Sequence, residues 1–118
     1  DSDRVFVAEN DEMILGAVRV EMLNNFQVLR GMYMHPNFLR QGIGSLLLKA
    51  IEVELSKTDS YCIPRDHLFD FYGQAEFKVI DTDIAPLFLV ERLKNYINEG
   101  LRVSIMHRQA GFTISKKV

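Results

Sequence analysis

The sequence has little of what builds disulfide-linked or membrane-bound proteins. It contains no tryptophan, three prolines and a single cysteine, Cys62. One cysteine cannot form a disulfide within the chain, and such sparse usage is typical of a reducing compartment. No apolar run approaches the roughly 20 residues needed to span a bilayer, and no signal peptide is recognisable. The sequence therefore predicts a cytoplasmic location and no membrane partner.

No charge of one sign dominates the chain. Fourteen lysines and arginines stand against 16 aspartates and glutamates, which gives a net charge of −2. A nucleic-acid or membrane-surface binder would carry a clustered basic excess, so the sequence predicts no nucleic-acid partner. The three histidines and one cysteine lack the spacing of metal ligands, which predicts no metal. A chain of 118 residues with 47% hydrophobic residues is expected to form one globular domain.

The most informative stretch is the segment 32–45, MYMHPNFLRQGIGS. A strand-like run reaches a proline, a loop with two glycines follows, and LLLKAI then has the pattern of a helix. The first turn of a helix has N–H groups without intrahelical partners, and the helix dipole adds partial positive charge. Gly42 and Gly44 carry no Cβ that would block a phosphate. The segment therefore predicts an anion-binding site.

Two common phosphate-binding motifs do not fit this segment. A dinucleotide-binding fingerprint requires a third glycine at the position of Leu47. A P-loop requires Gly-Lys-Ser/Thr, whereas Gly44 is followed by Ser45 and Leu46. The structural alternative is a glycine-rich turn that only joins a strand to a helix.

The segment resembles the acetyl-coenzyme A loop of the GNAT superfamily of N-acetyltransferases. The run QGIG at 41–44 matches the core of the family's Arg/Gln-x-x-Gly-x-Gly/Ala pattern. Leu39 departs from it, because it occupies the position of the leading Arg/Gln. The resemblance implies acetyl-CoA as co-substrate. The implied coenzyme-binding residues are Met32, Tyr33 and Met34 on the strand and Arg40, Gln41, Gly42, Ile43, Gly44 and Ser45 in the loop and first helical turn.

The strand before the loop carries a glycine in its interior, Gly31. An interior glycine usually weakens strand pairing or marks a bulge. In GNAT proteins the equivalent strand is bulged and splays from its neighbour. The resemblance therefore implies that the pantetheine arm pairs with free backbone groups of residues 32–34, much as an added strand would.

The remaining patterns predict a mixed α/β fold. The predicted strands are 4–8, 13–22, 26–34, 61–63, 77–80 and 102–107, and the predicted helices are 42–56, 67–74 and 87–98. The first three strands should form an antiparallel meander that turns at Asn24-Asn25, and a parallel β-α-β crossover should follow. The resemblance implies the GNAT-like acyl-CoA N-acyltransferase fold with a splayed strand pair. It also implies that 1–118 is a single GNAT-like domain without the family's usual first strand and one or two helices. Since the chain starts with aspartate, we expect a processed or trimmed start or part of a longer chain.

A second motif appears at 71–77, FYGQAEF, which is similar to the GNAT signature Phe-Tyr-x-x-x-Gly-Phe. Glu76 stands where glycine is usual, which predicts a looser turn into the next strand. The resemblance implies that Tyr72 is the general acid, because a phenol can reprotonate a departing thiolate. The structural alternative for Tyr72 is an aromatic packing residue whose hydroxyl caps a neighbour.

The general base is not evident in the sequence. The strand 26–34 contains no carboxylate, although many relatives place a glutamate there. Glu21 is one candidate, with an outward surface charge as its alternative. Asp66 and His67 could relay a proton through water, and a water chain without a dedicated side chain is equally compatible. Covalent catalysis by Cys62 is disfavoured, because no base accompanies it.

The resemblance implies an acetyl-CoA-dependent N-acetyltransferase. Such an enzyme moves an acetyl group to a primary amine, on a small molecule or a peptide, by direct attack in a ternary complex. The alternative is a catalytically weak acyl-CoA-binding or interaction module on the same fold, which the missing carboxylate, Leu39 and Glu76 favour. The helix at 86–98 either lines the acceptor cleft or forms the face of a homodimer.

Overall fold

The computed structural model describes residues 3–23, 25–111 and 116. These residues form two compact units that divide inside a strand, between Ser60 and Tyr61. The first unit contains the chain up to Ser60 and the chain from Gln109, and the second contains residues 61–108. The organisation of 1–118 as a single domain stays a prediction.

Three antiparallel strands form the sheet of the first unit. They are β1 (Arg4–Glu9), β2 (Ile14–Met22) and β3 (Phe26–Met34). In β2, Val18 and Val20 are buried while Arg19 between them is exposed, which is the alternation of a half-buried strand. The predicted meander is confirmed. Of its predicted turn, Asn24 lies outside the described residues, and the Leu23 amide donates to the Phe26 carbonyl at 2.9 Å.

Two helices follow β3 and bury their apolar face. They are α1 (Ile43–Ala50) and α2 (Glu52–Ser56). The prediction of one helix over 42–56 is wrong at Ile51, whose φ of −95° and ψ of 9° leave the helical region. Leu47, Ile51 and Leu55 are nevertheless 4%, 1% and 0% exposed. These three side chains therefore stay buried although the helical turn at Ile51 is distorted. The spacing of apolar residues determines which face is buried, but it does not determine every backbone dihedral.

The second unit contains the remaining strands and helices. They are the end of β4 (Asp59–Cys62), α3 (Phe69–Gly73), β5 (Lys78–Val79), α4 (Leu87–Asn98) and β6 (Met106–Arg108). β5 and β6 pair antiparallel, with Val79 opposite Met106. The predicted helix 67–74 is a 3-10 turn at Asp66–Leu68 followed by α3.

The predicted strand 102–107 is wrong over its first half. The Ser104 amide donates to the Pro64 carbonyl at 3.3 Å, and the Arg102 carbonyl accepts from the Asp66 amide at 3.0 Å. These backbone groups bond to the loop after β4, so only an isolated bridge between Arg65 and Val103 forms there. The ladder itself begins at Met106.

The strand order supports the predicted fold class. In the first unit β2 lies between β1 and β3, and in the second β6 lies between β4 and β5. The helices α1 and α2 come between β3 and β4 in the chain. The fold is a mixed α/β fold with parallel and antiparallel strands, as predicted. Within the described residues, no helix has the length and apolar character that crossing a membrane requires.

A glycine in β2 sets how closely α1 approaches the sheet. A Cβ at Gly16 would lie 3.1 Å from the Tyr33 carbonyl oxygen, 3.1 Å from Ile43 Cγ2 and 3.2 Å from Leu47 Cδ1. Such distances are shorter than ordinary van der Waals contact. Gly16 therefore permits the end of β3 and the start of α1 to meet over the same point of β2.

We predict that Gly16→Ala destabilises the protein by about 1–3 kcal/mol, because the added methyl overpacks this contact. Urea denaturation measures the loss. The matched control is Gly73→Ala within α3, where a Cβ would meet nothing within 4 Å, and alanine there should raise the free energy of unfolding by up to ~1 kcal/mol. Equal stability changes in the two variants would contradict the close-packing account.

Candidate functional site

The strand β3 is bulged at the residues predicted to bind the coenzyme. Ala17 pairs with Tyr33 and Arg19 pairs with Arg30, so Gly31 and Met32 together face the single residue between Ala17 and Arg19. Gly31 has a φ of +62°, a left-handed conformation that glycine adopts without strain. The predicted bulge is confirmed. The splaying of β3 from β4 stays a prediction.

The chain after β3 turns sharply and is held by local hydrogen bonds. The His35 amide donates to the Leu15 carbonyl at 2.9 Å, which continues the sheet pairing. A 3-10 turn follows at Pro36–Phe38, and His35 Nδ1 accepts from the Asn37 amide at 3.1 Å. His35 therefore caps this turn, which agrees with a structural role.

The loop enters α1 through two residues with positive φ. Arg40 has a φ of 63° and Gly42 a φ of 80°. Gln41 Nε2 donates to the Asn37 carbonyl at 3.3 Å, which ties the loop back to the 3-10 turn. Arg40, Gln41 and Gly42 are exposed, while Gly44 is buried in the first turn of the helix. A left-handed arginine is strained by about 1–2 kcal/mol, and such strain is found most often at ligand sites.

The N-terminus of α1 has the features of an anion site. Gly42 is its N-cap and supplies no side-chain hydrogen bond, and the first turn contains no acidic residue. The Leu46 amide closes the first helical turn on the Gly42 carbonyl at 3.0 Å. The amides of Ile43, Gly44 and Ser45 precede it and have no intrahelical acceptor in helix geometry. This end therefore presents N–H donors and positive dipole potential without a competing carboxylate.

The second motif forms the end of α3 and a tight turn. The Phe77 amide donates to the Tyr72 carbonyl at 3.3 Å, and the Glu76 amide donates to the Gly73 carbonyl at 3.0 Å. Glu76 has a φ of 68°. This pair of bonds around a left-handed residue is a Schellman motif. The expectation of a looser turn at Glu76 is wrong, because the chain keeps the tight turn and places a glutamate in the glycine conformation.

Tyr72 is buried among aromatic rings. It is 7% exposed and makes edge-to-face contacts with Phe71 at 5.0 Å and Phe77 at 6.2 Å between ring centroids. The aromatic contacts agree with a packing role for the ring, and the role of its hydroxyl stays a prediction. Burial raises the pKa of Tyr72 well above its usual value, and the nearby Cys62 thiol adds to the rise. The phenol therefore stays protonated at physiological pH.

Cys62 is an inert neighbour of this tyrosine. It is 3% exposed, and burial raises the pKa of its thiol well above the usual value. A thiol in this state carries little thiolate, which is the nucleophilic form. The structure thus agrees with the inference that Cys62 is not a covalent catalyst.

The candidate bases occupy different surroundings. Glu21 is half-buried and forms an ion pair with Arg30 at 3.7 Å. Asp66 and His67 are exposed on the 3-10 turn before α3. Among the described residues, no group of three or more histidine, cysteine, aspartate or glutamate side chains could hold a metal ion.

Arg108 is a buried residue that the sequence patterns did not single out. It is the last residue of β6, is 0% exposed, and its Nε donates to the Ala75 carbonyl at 2.9 Å. The one signal was its register, because Arg108 lies two residues after Met106 and so shares a face with a buried side chain. An arginine at such a position is usually assigned to the surface, since charged residues are rarely fully buried.

We predict that Glu76→Gly raises the free energy of unfolding by about 1 kcal/mol. A left-handed non-glycine residue costs about 1–2 kcal/mol, of which glycine's greater unfolded-state entropy cancels a part. Guanidinium denaturation measures the gain. Glu76→Ala is the control, because it removes the carboxylate and keeps the Cβ; if it stabilises the protein as much as glycine does, backbone strain is not the cause.

Taken together, a bulged strand, a glycine loop and an open helix N-terminus define an α/β domain with a candidate strand-loop-helix site for an anion. The model of the acetyltransferase (GNAT) domain family matches residues 1–79. The match covers more than half of the chain, and the chain belongs to this family. No curated protein matches the chain in sequence.

Solved structures of acetyltransferases share the fold at low sequence identity. PaiA N-acetyltransferase from Thermoplasma acidophilum, in complex with coenzyme A, has a TM-score of 0.65 at 21% identity, over 91% of this chain and 60% of its own. The ribosomal-protein-S18-alanine N-acetyltransferase from Escherichia coli has a TM-score of 0.69 at 14% identity, over 98% and 74%. N-acetylglutamate synthase from Neisseria gonorrhoeae, complexed with coenzyme A and N-acetyl-glutamate, has a TM-score of 0.68 at 16% identity, over 89% and 25%. The chain thus spans less than two thirds of the PaiA enzyme.

Proposed function

We propose that this protein is an acetyl-CoA-dependent N-acetyltransferase that acylates a primary amine by direct attack in a ternary complex. The observation that supports it most is the convergence at Gly16. The carbonyl of Tyr33 on the bulged strand and the side chain of Ile43 at the start of α1 both lie about 3 Å from the position of its missing Cβ. A ligand with a phosphate at the helix and an extended arm along the strand would fit this arrangement.

Each proposed coenzyme-binding residue has a role in this assignment. The pyrophosphate would bind the open amides at Ile43, Gly44 and Ser45, with the exposed Arg40 and Gln41 at the loop's edge. The backbone of Met32, Tyr33 and Met34 would pair with the pantetheine arm. A backbone N–H near Met34 would polarise the thioester carbonyl. Since most of these contacts come from the backbone, Leu39 in place of the family's leading Arg/Gln is compatible with binding.

The chemistry requires few side chains. The amine nitrogen forms a bond to the acetyl carbon, the carbon–sulfur bond breaks, and the amine proton passes to a base or to water. Tyr72 would return a proton to the departing thiolate, because a phenol is protonated at physiological pH. Burial raises the pKa of Tyr72, which makes it a weaker proton donor than an exposed phenol. Orientation of amine and thioester supplies most of the rate in such a reaction.

The acceptor is proposed as an amine of a small molecule or a peptide. The structural relatives are named for both kinds, one as a synthase of N-acetylglutamate and one as an acetyltransferase of a ribosomal-protein alanine. The helix α4 would line the acceptor cleft or form a homodimer face. A cytoplasmic setting fits the single buried cysteine.

A weak acyl-CoA-binding module is the second candidate function. It is favoured by the lack of a carboxylate on β3 and by the ion pair that holds Glu21 to Arg30. Such a module would keep the coenzyme site and show little turnover.

We expect coenzyme A to bind the wild-type protein in isothermal titration calorimetry. Gly42→Ala should raise the Kd about five- to thirtyfold, because a left-handed alanine costs about 1–2 kcal/mol and distorts the N-cap. Gly100→Ala is the matched control, with a φ of +89° and open space at the Cβ position, and its Kd should equal that of the wild type. Absence of a binding heat in the wild type would remove coenzyme A from the proposal.

We predict that Tyr72→Phe lowers kcat about 10²-fold in a thiol-release assay with acetyl-CoA and a panel of amines, as expected for loss of a general acid. The coenzyme Kd should change less than about twofold, because the lost hydroxyl acts on the reacting sulfur. Tyr61→Phe is the control, because Tyr61 is a tyrosine of β4 to which the proposal gives no role, and this variant should retain full turnover. Equal kcat in Tyr72→Phe and the wild type would exclude Tyr72 as the general acid. If the wild type binds coenzyme A but turns over none of the amines, the result would favour the acyl-CoA-binding module.

A further inference from the structure

The second unit contains a fully buried guanidinium at the C-terminal end of α3. Arg108 is 0% exposed, and its Nε lies 2.9 Å from the carbonyl oxygen of Ala75. Ala75 is the residue before the left-handed Glu76. The last carbonyls of a helix lack intrahelical donors and lie at the negative end of its dipole, so a buried cation there forms a strong, charge-assisted bond.

This contact connects to Tyr72 through two backbone hydrogen bonds. The Ala75 amide donates to the Tyr72 carbonyl at 3.0 Å, and the Phe77 amide donates to the same carbonyl at 3.3 Å. The Phe77 ring packs edge-to-face on the Tyr72 ring. A shift of the turn at residues 75–77 would therefore move both the backbone and the ring contact that hold Tyr72.

The same turn is strained. Glu76 adopts a φ of 68°, which disfavours any residue with a Cβ by about 1–2 kcal/mol. A local strain of this kind persists only when surrounding contacts enforce it. The Arg108 bond to the adjacent carbonyl is a contact of that kind, and it is supplied from another strand of the unit.

We propose that Arg108 is a positioning residue, which holds the strained turn at Glu76 and thereby fixes Tyr72. The effect on the position of Tyr72 follows from the unit alone. Its effect on turnover rests on the proposed function, in which Tyr72 is the general acid.

The test replaces Arg108 by lysine, which keeps the charge but cannot donate from the planar guanidinium at the same place. The protein is labelled with 3-fluorotyrosine, and the Tyr72 resonance is assigned by its loss in Tyr72→Phe. In Arg108→Lys the Tyr72 fluorine signal should shift or broaden while the Tyr33 signal stays in place. In the thiol-release assay kcat should fall between about tenfold and 10²-fold, as expected for a displacement near 1 Å, and the KM for acetyl-CoA should stay within about twofold.

A second substitution, Glu76→Gly, distinguishes a positioning role of Arg108 from a general loss of stability in Arg108→Lys. Glycine removes the strain that Arg108 opposes, so the double variant Arg108→Lys, Glu76→Gly should recover most of kcat and the wild-type Tyr72 signal. Leu93→Ala is the control for stability, because Leu93 is buried in α4, and glycine at 76 should leave the Tyr72 signal and kcat of that background unchanged.

The outcomes decide the proposal in each arm. An unchanged Tyr72 signal in Arg108→Lys overturns it, whatever the activity. Arg108→Lys could also lose its fold or its kcat in a way that Glu76→Gly does not restore. That result would mean that Arg108 stabilises the fold in general, and it would also overturn the positioning proposal. If the wild type transfers no acetyl group, the proposed function fails, and the fluorine spectra of Arg108→Lys and the double variant then decide the positioning role alone.

Discussion

The approach of α1 to β2 at Gly16 is the contact on which the candidate coenzyme site depends. A strand that carries a side chain at this point would hold the helix away from the sheet. With glycine there, the start of the helix and the end of β3 meet at one place. The open amides of the helix and the bulged backbone of the strand are thereby both positioned against the same point of a rigid sheet. Sites built on regular elements in this way are positioned more accurately than sites on loops alone.

Backbone strain is concentrated at the two motifs of this chain. Among the described residues, the non-glycine residues with positive φ are Arg40 in the coenzyme loop and Glu76 after α3. Neither lies in the regular strands or helices, where local propensity and pairing agree. Strain of this kind is selected or tolerated where geometry matters more than stability. Its coincidence with both motifs supports a functional interpretation of each. At Glu76 the turn is also contacted by a residue distant in sequence, since Arg108 Nε donates to the carbonyl of the adjacent Ala75.

Much of the architecture could be predicted from periodicity and from turn residues. The bounds of β3 and α4 agree with the predicted ranges. Pro86 before α4 and Gly100 after it are local signals of a helix start and a helix end. The break at Ile51 and the short β6 were missed, since both depend on packing and on backbone partners elsewhere in the chain. In the site, the glycines of the loop were informative. The Schellman turn at Glu76 could not be predicted in the same way. Glutamate rarely adopts the left-handed conformation that this turn requires, so the residue type gave no signal of it.

The lack of a carboxylate on β3 bears on how much catalysis this site could perform. A general base contributes typically 10²–10⁴-fold to a rate, whereas well-oriented reactants reach effective molarities of about 10⁵–10⁸ M. Orientation therefore contributes more to the rate than a base does. In the proposed enzyme, orientation would depend on the bulge, the helix N-terminus and the turn after Tyr72. A site without a dedicated base would still be an enzyme if these elements hold their geometry, with turnover that rises as the acceptor amine itself loses its proton. Glu21, which forms an ion pair with Arg30, would then have a structural role in the sheet, and water would accept the proton of the amine.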